Sequence, residues 1–514
     1  MGKPRIFRLL ALLLALSLLV GCGAPKEAES QSSAQQVPVV GRPQQLEHLT
    51  LGYVPGEGVN PYVSNSILVA QNAGLLFEKL VEIGPDMALD LRLAEHISST
   101  GDQVVIDVRP GCRFADGTPI GAPDVLASFQ MAQASEMYGG RFAGVLDARL
   151  QGDSVVLTLA RPDSLFAYLC DIPVLKASEV ELKQPTASGR YTYGGHDCLE
   201  RNPHAPFPQQ GPETVDLAAV DSYDAMTSGL TVGSLNLYAE ADEAEAVPSI
   251  VSQEGFYRTN RLVYLGVNSA RTENRLLATP QGRRLISCLA DRRQLSDKSF
   301  FGRAYPATGA INGFYPCVDQ GQVILAEQDA EAAAALLAQM GCTCDQMTGY
   351  YQDEQGKRLE TQLLVYSGSS YKRYAAELLK EQLSAQGVEV HLVEIDDFEE
   401  YRRRVEAGEF DLYIGEVKMY NNMDITPFLS GGALSAGLAQ TEALAQSYEG
   451  FRADQDQAAA FEAAFAADMP YVPLVWRTGT VVSSRGIHGV VSSVSNVFYS
   501  LQGLVIDKAA PTDS

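Results

Sequence analysis

The hydrophobic pattern of the carboxyl-terminal half predicts strands and helices in alternation. Short apolar or alternating runs, typical of strands, are separated by runs with apolar residues at helical spacing. In chain order these segments are residues 359–367 (strand), 371–386 (helix), 388–395 (strand), 397–407 (helix) and 410–417 (strand). Strands joined by single helices at such short spacing favour a parallel sheet with right-handed crossovers.

The carboxyl ends of these strands carry side chains that suit small-molecule binding. Ligands of such sheets bind beyond the strand ends, where aromatic walls and a few polar groups recognise them. Tyr366, Tyr371, Tyr420 and Asn421 stand at or near these ends. We therefore expect them to line a ligand site, with core or surface packing as the alternative for each tyrosine. Trp476, the single tryptophan, ends an apolar strand and is expected either to line the cleft or to pack beside it.

The amino-terminal half has a different, α+β pattern. Residues 49–53, 103–109 and 154–160 are typical of short strands, and a helix is predicted after Gly121. Turn residues precede this helix, and a proline and an aspartate suit its first turn. We therefore expect the stretch 113–129 to be a structural brace and not a catalytic loop.

The amino terminus has the pattern of a secretory signal. Three basic residues precede an apolar run over residues 9–20, and this run is too short to span a bilayer as a helix. The run ends at Gly21-Cys22, which resembles a bacterial lipobox. The resemblance implies cleavage before Cys22 and acylation of its thiol, which would hold the protein at a membrane surface; the alternative is an ordinary signal peptide with a chance cysteine. Residues 23–46, rich in Gln, Ser, Ala and Pro, predict a flexible tether.

Charge narrows the range of partners. The formal net charge is −24, and removal of the signal, which carries three of the 39 basic residues and no acidic one, leaves 36 basic against 63 acidic residues. A surface this acidic repels nucleic acid, so we expect no nucleic-acid partner. Seven cysteines remain beside Cys22; outside the cytoplasm some of them can pair, with Cys170 and Cys198 as one possibility.

Motifs of common enzymes and metal sites are missing from the sequence. It contains no G-x-S-x-G or H-E-x-x-H motif and no C-x-x-C pair, and its six histidines are scattered without ligand spacing. We therefore expect neither a catalytic site nor a metal or cofactor. An extracytoplasmic hydrolase with a cleft between two domains remains the alternative.

A resemblance to a known family covers nearly the whole chain after the tether. The stretch VRPGCRFADGTPIGAPDVLASF, residues 108–129, resembles the signature segment of the family 5 extracellular solute-binding proteins. These are the dipeptide-, oligopeptide- and nickel-binding components of ABC importers. Further matches follow in the order usual for the family, at residues 59–62, 76–80, 186–191, 264–268 and 282–292.

The resemblance implies an α/β, two-lobed fold like that of the periplasmic binding proteins (type II, cluster C), with an extra small α+β subdomain. After the signal peptide (residues 1–21) and the lipidated Cys22 with its tether (22–46), lobe I would comprise residues 47–264 and 480–514. The subdomain would lie at about residues 65–175, and lobe II would comprise residues 265–479.

The resemblance also bears on ligand and partners. Peptide-binding members commonly carry an aspartate after the third strand of lobe II that pairs with the peptide amino terminus. Asn421 takes its place here, and a neutral amide cannot give an ammonium the charge-assisted bond of a carboxylate. Asp424 falls on a later acidic position, where it either substitutes or braces the loop.

We therefore expect an extracytoplasmic, lipid-anchored monomer that captures a solute by closure of its hinge and delivers it to ABC permease subunits. A peptide is the default solute. A sensory or scaffold protein that has kept the fold is a further alternative.

Overall fold

The computed structural model describes residues 43–195, 197–239, 252–318, 323–435, 437 and 440–507. The predicted signal peptide, Cys22 and almost all of the tether lie outside these ranges. Among the described residues, no helix is both long enough and apolar enough to cross a bilayer.

Within the described ranges, 22 strands form five sheets. The strands are β1 (Pro43–Gln45), β2 (His48–Tyr53), β3 (Val81–Ile83), β4 (Leu89–Leu91), β5 (Ala94–Thr100), β6 (Gln103–Val108), β7 (Val145–Gln151), β8 (Ser154–Leu159), β9 (Tyr191–Tyr193), β10 (Cys198–Arg201), β11 (Thr214–Ala219), β12 (Leu237–Ala239), β13 (Ser252–Val267), β14 (Ala304–Pro306), β15 (Thr343–Cys344), β16 (Tyr351–Gln352), β17 (Glu360–Tyr366), β18 (Glu389–Ile395), β19 (Leu412–Lys418), β20 (Tyr471–Ser484), β21 (Ile487–His488) and β22 (Val505–Asp507).

The α-helices flank these sheets. They are α1 (Ile67–Leu76), α2 (Ala122–Ala134), α3 (Tyr223–Val232), α4 (Arg275–Ala278), α5 (Pro280–Leu289), α6 (Arg292–Gln294), α7 (Ala330–Gln339), α8 (Ser370–Ala385), α9 (Phe398–Glu406), α10 (Glu442–Ala453) and α11 (Ala458–Asp468).

The largest sheet has 11 strands and runs through both halves of the chain in the order β18-β17-β19-β13-β20-β12-β2-β11-β10-β9, with β14 attached to β20. At one end β17 pairs in parallel with β18 and with β19, so the predicted parallel arrangement is confirmed. The predicted strand–helix alternation is also found, with boundaries within about two residues of those expected from the pattern. A separate antiparallel sheet, β5-β6-β8-β7, lies in the range of the predicted subdomain.

Two long strands join two hydrophobic cores. The first core gathers the amino-terminal half together with residues near the end of the chain, and the second core fills the carboxyl-terminal half. β13 and β20 pair antiparallel from Ser252 opposite Ser484 to Gly266 opposite Tyr471. Trp476 on β20 packs in the second core and Val481 in the first. The exact lobe boundaries near residues 264 and 480 remain a prediction.

The two halves also pack directly against each other. Four apolar side chains from the amino-terminal half are buried in the second core, namely Ile83, Met87, Leu165 and Tyr168. The ring centroids of Tyr168 and Tyr315 lie 4.9 Å apart across this contact. Both halves therefore share buried apolar surface, which is removed from water only while they stay together.

The polar residues of the stretch 113–129 are occupied by local bonds, as expected of a brace. Asp116 accepts hydrogen bonds from the backbone and hydroxyl of Thr118 and from Lys176, which together lower the pKa of Asp116. Asp124 accepts from the backbone N–H groups of Gly121 (3.0 Å) and Ala177 (2.8 Å), which fixes the start of α2. The carboxylates thus hold turns and a helix end in place.

The possible pairing of Cys170 with Cys198 is wrong. All seven cysteines of the described residues are free thiols. Cys170 is buried in the first core, whereas Cys198 lies partly exposed on β10.

Tyrosine–glycine pairs hold the neighbouring central strands together. Tyr264 on β13 lies opposite Gly415 on β19, and Tyr413 on β19 lies opposite Gly266. The tyrosine hydroxyls are 3.0 Å apart, and each ring covers the facing glycine so closely that a Cβ there would overlap it. The glycines therefore provide the space into which the rings fold.

We expect Gly266→Ala and Gly415→Ala to destabilise the protein by about 1–3 kcal/mol, because a methyl group forces the facing ring out of a close-packed core. Urea unfolding measures the change. Gly255→Ala on the same strand β13 is the control, since the nearest atom to its Cβ would be 3.9 Å away, and we expect a change below about 0.5 kcal/mol. Equal stability of all three variants would contradict this account of the pairs.

Candidate functional site

The loop that follows β19, residues 419–426, meets the segment 161–171 of the amino-terminal half. Met423 and Ile425 are fully buried and anchor the loop in the second core. Between these anchors the loop presents polar side chains to the opposite segment. We call the surface where loop 419–426 meets segment 161–171 the inter-core contact.

Asn421 lies at the centre of the inter-core contact. Its side-chain Nδ2 donates to Asp171 at 3.2 Å, and its Oδ1 accepts from Asn260 Nδ2 at 3.0 Å. The Tyr315 hydroxyl donates to the backbone oxygen of Asn421 at 2.7 Å. Asn312 extends this amide network by donating to Asn260 Oδ1 at 3.0 Å. The predicted site residue Asn421 thus touches both halves of the protein.

The carboxylate that faces Asn421 already has cationic partners. Asp171 is buried and forms an ion pair with Arg141. The buried ammonium of Lys79 also contributes positive charge at Asp171, and burial lowers the pKa of Lys79. Glu82 and Glu78 also act on Lys79, so carboxylates balance the two cations beside Asn421.

Asp424 is a charged carboxylate with hydrogen bonds to both of its oxygens. One oxygen accepts from the backbone N–H of Thr426 (2.8 Å) and the hydroxyl of Tyr448 (2.6 Å), and the other accepts from Arg161 (2.8 Å). Burial alone would raise the pKa of Asp424, but the charge of Arg452 and the bonds from Thr426 and Tyr448 hold it at about 2. Asp424 therefore braces the loop and also binds the opposite half through Arg161.

A buried ion pair crosses the same contact. Arg452 Nη2 lies 2.5 Å from Asp163 Oδ2, and the two side chains are only 3% and 7% exposed. Asn422 bridges the pair, because its Nδ2 donates to Asp163 at 2.7 Å and its backbone oxygen accepts from Arg452 at 2.9 Å. No sequence pattern indicates this pair, since its members lie far apart in the chain and neither stands in a motif.

The predicted tyrosines have different neighbours. Tyr366 packs on Phe398 with ring centroids 5.3 Å apart, and buried Tyr371 lies parallel to Phe300 at 6.0 Å. These contacts belong to the carboxyl-terminal half alone. Tyr420, by contrast, is 48% exposed and its hydroxyl reaches Gly140 of the amino-terminal half. Of the predicted residues, Tyr420, Asn421 and Asp424 are therefore brought to the inter-core contact, whereas the rings of Tyr366 and Tyr371 pack on Phe398 and Phe300.

A cationic cluster that sequence reasoning missed lies at the carboxyl end of β19. Glu416 binds Lys372 (2.9 Å), Arg477 (2.8 Å) and Arg261 (3.3 Å). Burial would raise the pKa of Glu416, but the charges of Lys372 and Arg477 outweigh it and hold this pKa at about 2. Three cations around one carboxylate leave an excess of positive charge next to the strand ends.

Trp476 lines a cavity inside the carboxyl-terminal half. Its side chain is 2% exposed, and the cavity of about 330 Å³ is also bordered by Tyr305, Phe314 and Glu462. Trp476 therefore both packs in the second core and lines a space large enough for part of a ligand.

One group of side chains among the described residues has the spacing of metal ligands. Glu360 lies on β17, and Glu389 and His391 lie on the edge strand β18. Arg358 forms an ion pair with Glu389 there. The guanidinium next to these carboxylates competes with a metal cation, so an ion-pair cluster is the simpler description.

Comparison with known proteins agrees with this fold. Residues 82–434 match the family model described as "Bacterial extracellular solute-binding proteins, family 5 Middle". The chain is 24% identical over 429 residues to the oligopeptide-binding protein AppA of Bacillus subtilis (strain 168), with 76% of each chain covered. It is 26% identical over 163 residues to the nickel-binding protein NikA of Staphylococcus aureus, which covers 32% of this chain and 29% of NikA.

Solved structures show the same two-lobed architecture. The nickel ABC transporter structure from Bacillus halodurans superposes with a TM-score of 0.71 at 17% identity, covering 90% of this chain and 100% of that chain. AppA from Bacillus subtilis in complex with a nonapeptide superposes with a TM-score of 0.53 at 17% identity, covering 91% and 100%. The matched family, the two cores joined by β13 and β20, and the polar contact between them lead to one conclusion: the chain belongs to the bacterial extracellular solute-binding proteins of family 5.

Proposed function

We propose that the protein captures a peptide between its two lobes and delivers it, unchanged, to the permease of an ABC importer. The inter-core contact carries this proposal, because each lobe supplies polar side chains that reach their partners only when the lobes are together. Arg161 pairs with Asp424, Asn421 with Asp171 and Arg452 with Asp163 across this surface.

Opening would take place along the paired strands β13 and β20. Their register shifts between Arg258 and Arg261, and again between Val263 and Tyr264. Such bulges interrupt the ladder and let paired strands bend. When the lobes separate, water hydrates the charged groups of the inter-core contact, so the open and closed states stay close in free energy. A solute that touches both lobes therefore shifts the equilibrium towards the closed state.

The amide network supports a peptide as the solute. Asn260, Asn312 and Asn421 donate and accept bonds at 3.0 Å in a connected chain beside the contact. Side-chain amides offer the same donors and acceptors as a peptide backbone, so a peptide can replace these bonds one for one. The oligopeptide-binding protein AppA is a relative along most of the chain, which agrees with this solute class.

The location and state of the protein complete the proposal. Cys22 would carry the lipid and become the first residue when the signal peptide is removed, and the tether would hold a monomer at the outer face of the membrane. The closed form would dock on the permease subunits. The protein needs no cofactor in this cycle and is not an enzyme.

Mass spectrometry of molecules bound to the natively purified protein should identify peptides. Adding such a peptide to the emptied protein should then lower the radius of gyration in small-angle X-ray scattering, because the lobes close on it. Bound peptide without any change in scattering would contradict hinge closure. Conversion of the peptide into products would contradict a pure binding role.

Arg452→Met should favour the open form, because it leaves Asp163 buried without its partner, at a cost of about 3–5 kcal/mol that opening relieves by hydration. We expect a larger radius of gyration without solute and at least a tenfold loss of peptide affinity by calorimetry. The control is Arg149→Met, which removes a half-exposed ion pair within one lobe. This variant should leave the radius of gyration and the peptide affinity unchanged. Circular dichroism checks that both variants fold, and identical behaviour of the two variants would oppose a role for Asp163 and Arg452 in closure.

A further inference from the structure

The cavity beside Trp476 adjoins the inter-core contact but belongs to lobe II alone. Its volume of about 330 Å³ lies near the lower end of ligand pockets, which hold roughly 300–1,000 Å³. Asn312 belongs both to its lining and to the amide network around Asn421. Asn312 thus connects the cavity lining to the amide network by a hydrogen bond to Asn260.

A buried carboxyl group forms part of the cavity lining. Glu462 is 4% exposed, and its two oxygens accept from the backbone N–H groups of Ala310 (2.9 Å) and Ile311 (2.8 Å). Gly309 permits this approach, because a Cβ there would collide with the carboxylate. Burial raises the pKa of Glu462 to about 7, since the two backbone bonds offset the loss of water only in part.

Glu462 has no cationic partner among the described residues. Arg293, which also lines the cavity, is 58% exposed and is bound to Glu327 at 2.6 Å. The other titratable groups near Glu462 are Tyr471 and Cys317, and burial raises the pKa of each, that of Cys317 to about 11, so both are neutral at pH 7. A buried carboxylate without a counter-ion is costly, and such groups concentrate at functional sites.

The walls of the cavity add an indole N–H group and aromatic faces. The Nε1–H of Trp476 is buried and has no acceptor among the described residues. Tyr305 and Phe314 line the same space, with ring centroids 5.2 Å apart in a T-shaped arrangement. Buried indole N–H groups normally find an acceptor. Among the described residues that of Trp476 has none, and Glu462 has two backbone donors but no counter-ion.

We propose that this cavity is a subsite for a protonated amine of the bound solute, held by the Glu462 carboxylate between aromatic walls. The ring of Tyr305 would stabilise the cation further, whereas Phe314 already carries the Arg258 guanidinium 3.7 Å from its ring centroid. The amine comes either from a peptide amino terminus or from a lysine side chain. This subsite rests on the proposed solute-binding function and extends it by naming the group that is recognised.

Affinity for the amine should depend on pH in a defined direction. Glu462 attracts an ammonium group only when its carboxylate is charged. Because the pKa of Glu462 is about 7, the charged fraction of this carboxylate rises steeply from pH 5.5 to pH 7. The amine stays protonated over this range. Binding of a primary amine should therefore tighten by about tenfold between these two pH values, whereas binding of a neutral analogue should not change.

The single tryptophan provides the readout. Benzylamine and benzyl alcohol, which have similar shapes but differ in charge, are titrated against the full protein while the fluorescence of Trp476 is followed. We expect saturable binding of benzylamine at least tenfold tighter than that of benzyl alcohol at pH 7. Glu462→Gln should remove this preference, and Glu327→Gln, which changes an exposed acid at the rim, should keep it.

Peptides then distinguish the two sources of the amine. Trialanine with a free amino terminus is compared with its acetylated form and with acetyl-Ala-Lys-Ala amide. Tighter binding of free trialanine would show that the subsite takes the amino terminus of a peptide. Tighter binding of the lysine peptide would show that it takes the lysine side chain.

Equal binding of benzylamine and benzyl alcohol, absence of binding, or a preference that survives in Glu462→Gln would overturn the subsite. If Glu462→Gln does not fold, the pH profile of the unaltered protein decides in its place. Failure of the proposed function is separate, because it shows as absent closure in scattering while the cavity still prefers the amine.

Discussion

The antiparallel pairing of β13 with β20 is the constraint on which the remaining structure depends. The chain passes from the first core to the second on β13 and returns on β20, and the two strands stay paired from Ser252 to Gly266. Their backbone therefore fixes how the cores face each other. Rings of Tyr264 and Tyr413 pack over glycines at the second-core end of this unit, and register shifts after Arg258 and after Val263 give it two irregular positions.

At the contact between the lobes, burial of apolar side chains favours the closed state and hydration of charged groups favours the open state. Apolar residues such as Leu165 and Tyr168 favour contact of the lobes, since they lose water when buried in the second core. The Arg452–Asp163 pair and the charged Asp424 favour separation of the lobes, because their charges are well hydrated when the lobes are apart. The two tendencies oppose each other, and a small additional contribution from a solute is enough to select one state.

Sequence patterns predicted local elements well and long-range contacts poorly. The strands β17, β18 and β19 carry their own periodicity, so their positions and parallel order were accessible from neighbouring residues. The pairing of Arg452 with Asp163 could not be predicted from neighbouring residues, because it depends on two segments that meet only after folding. Asn421 and Asp424 were found through strand order and a family resemblance, and the structure adds their partners Asp171 and Arg161.

The aromatic residues show why the site was predicted only in part. Tyr366 and Tyr371 stand at strand and helix ends as expected, but Phe398 and Phe300 pack on them within one lobe. Glu462 could not be recognised at all, since an acid in an alanine-rich helix has the pattern of an exposed residue. Its burial follows from the approach of Gly309 and from two backbone donors of a distant loop.

The central claim is that two lobes close on a solute about β13 and β20. Backbone hydrogen exchange, measured by mass spectrometry with and without the co-purified solute, tests it most directly. The account predicts slower exchange in residues 161–171 and 419–426 together when solute is present, and unchanged, slow exchange in the second-core end of β13 and β20. Equal exchange of both segments in the two states, or protection confined to one of them, would contradict it.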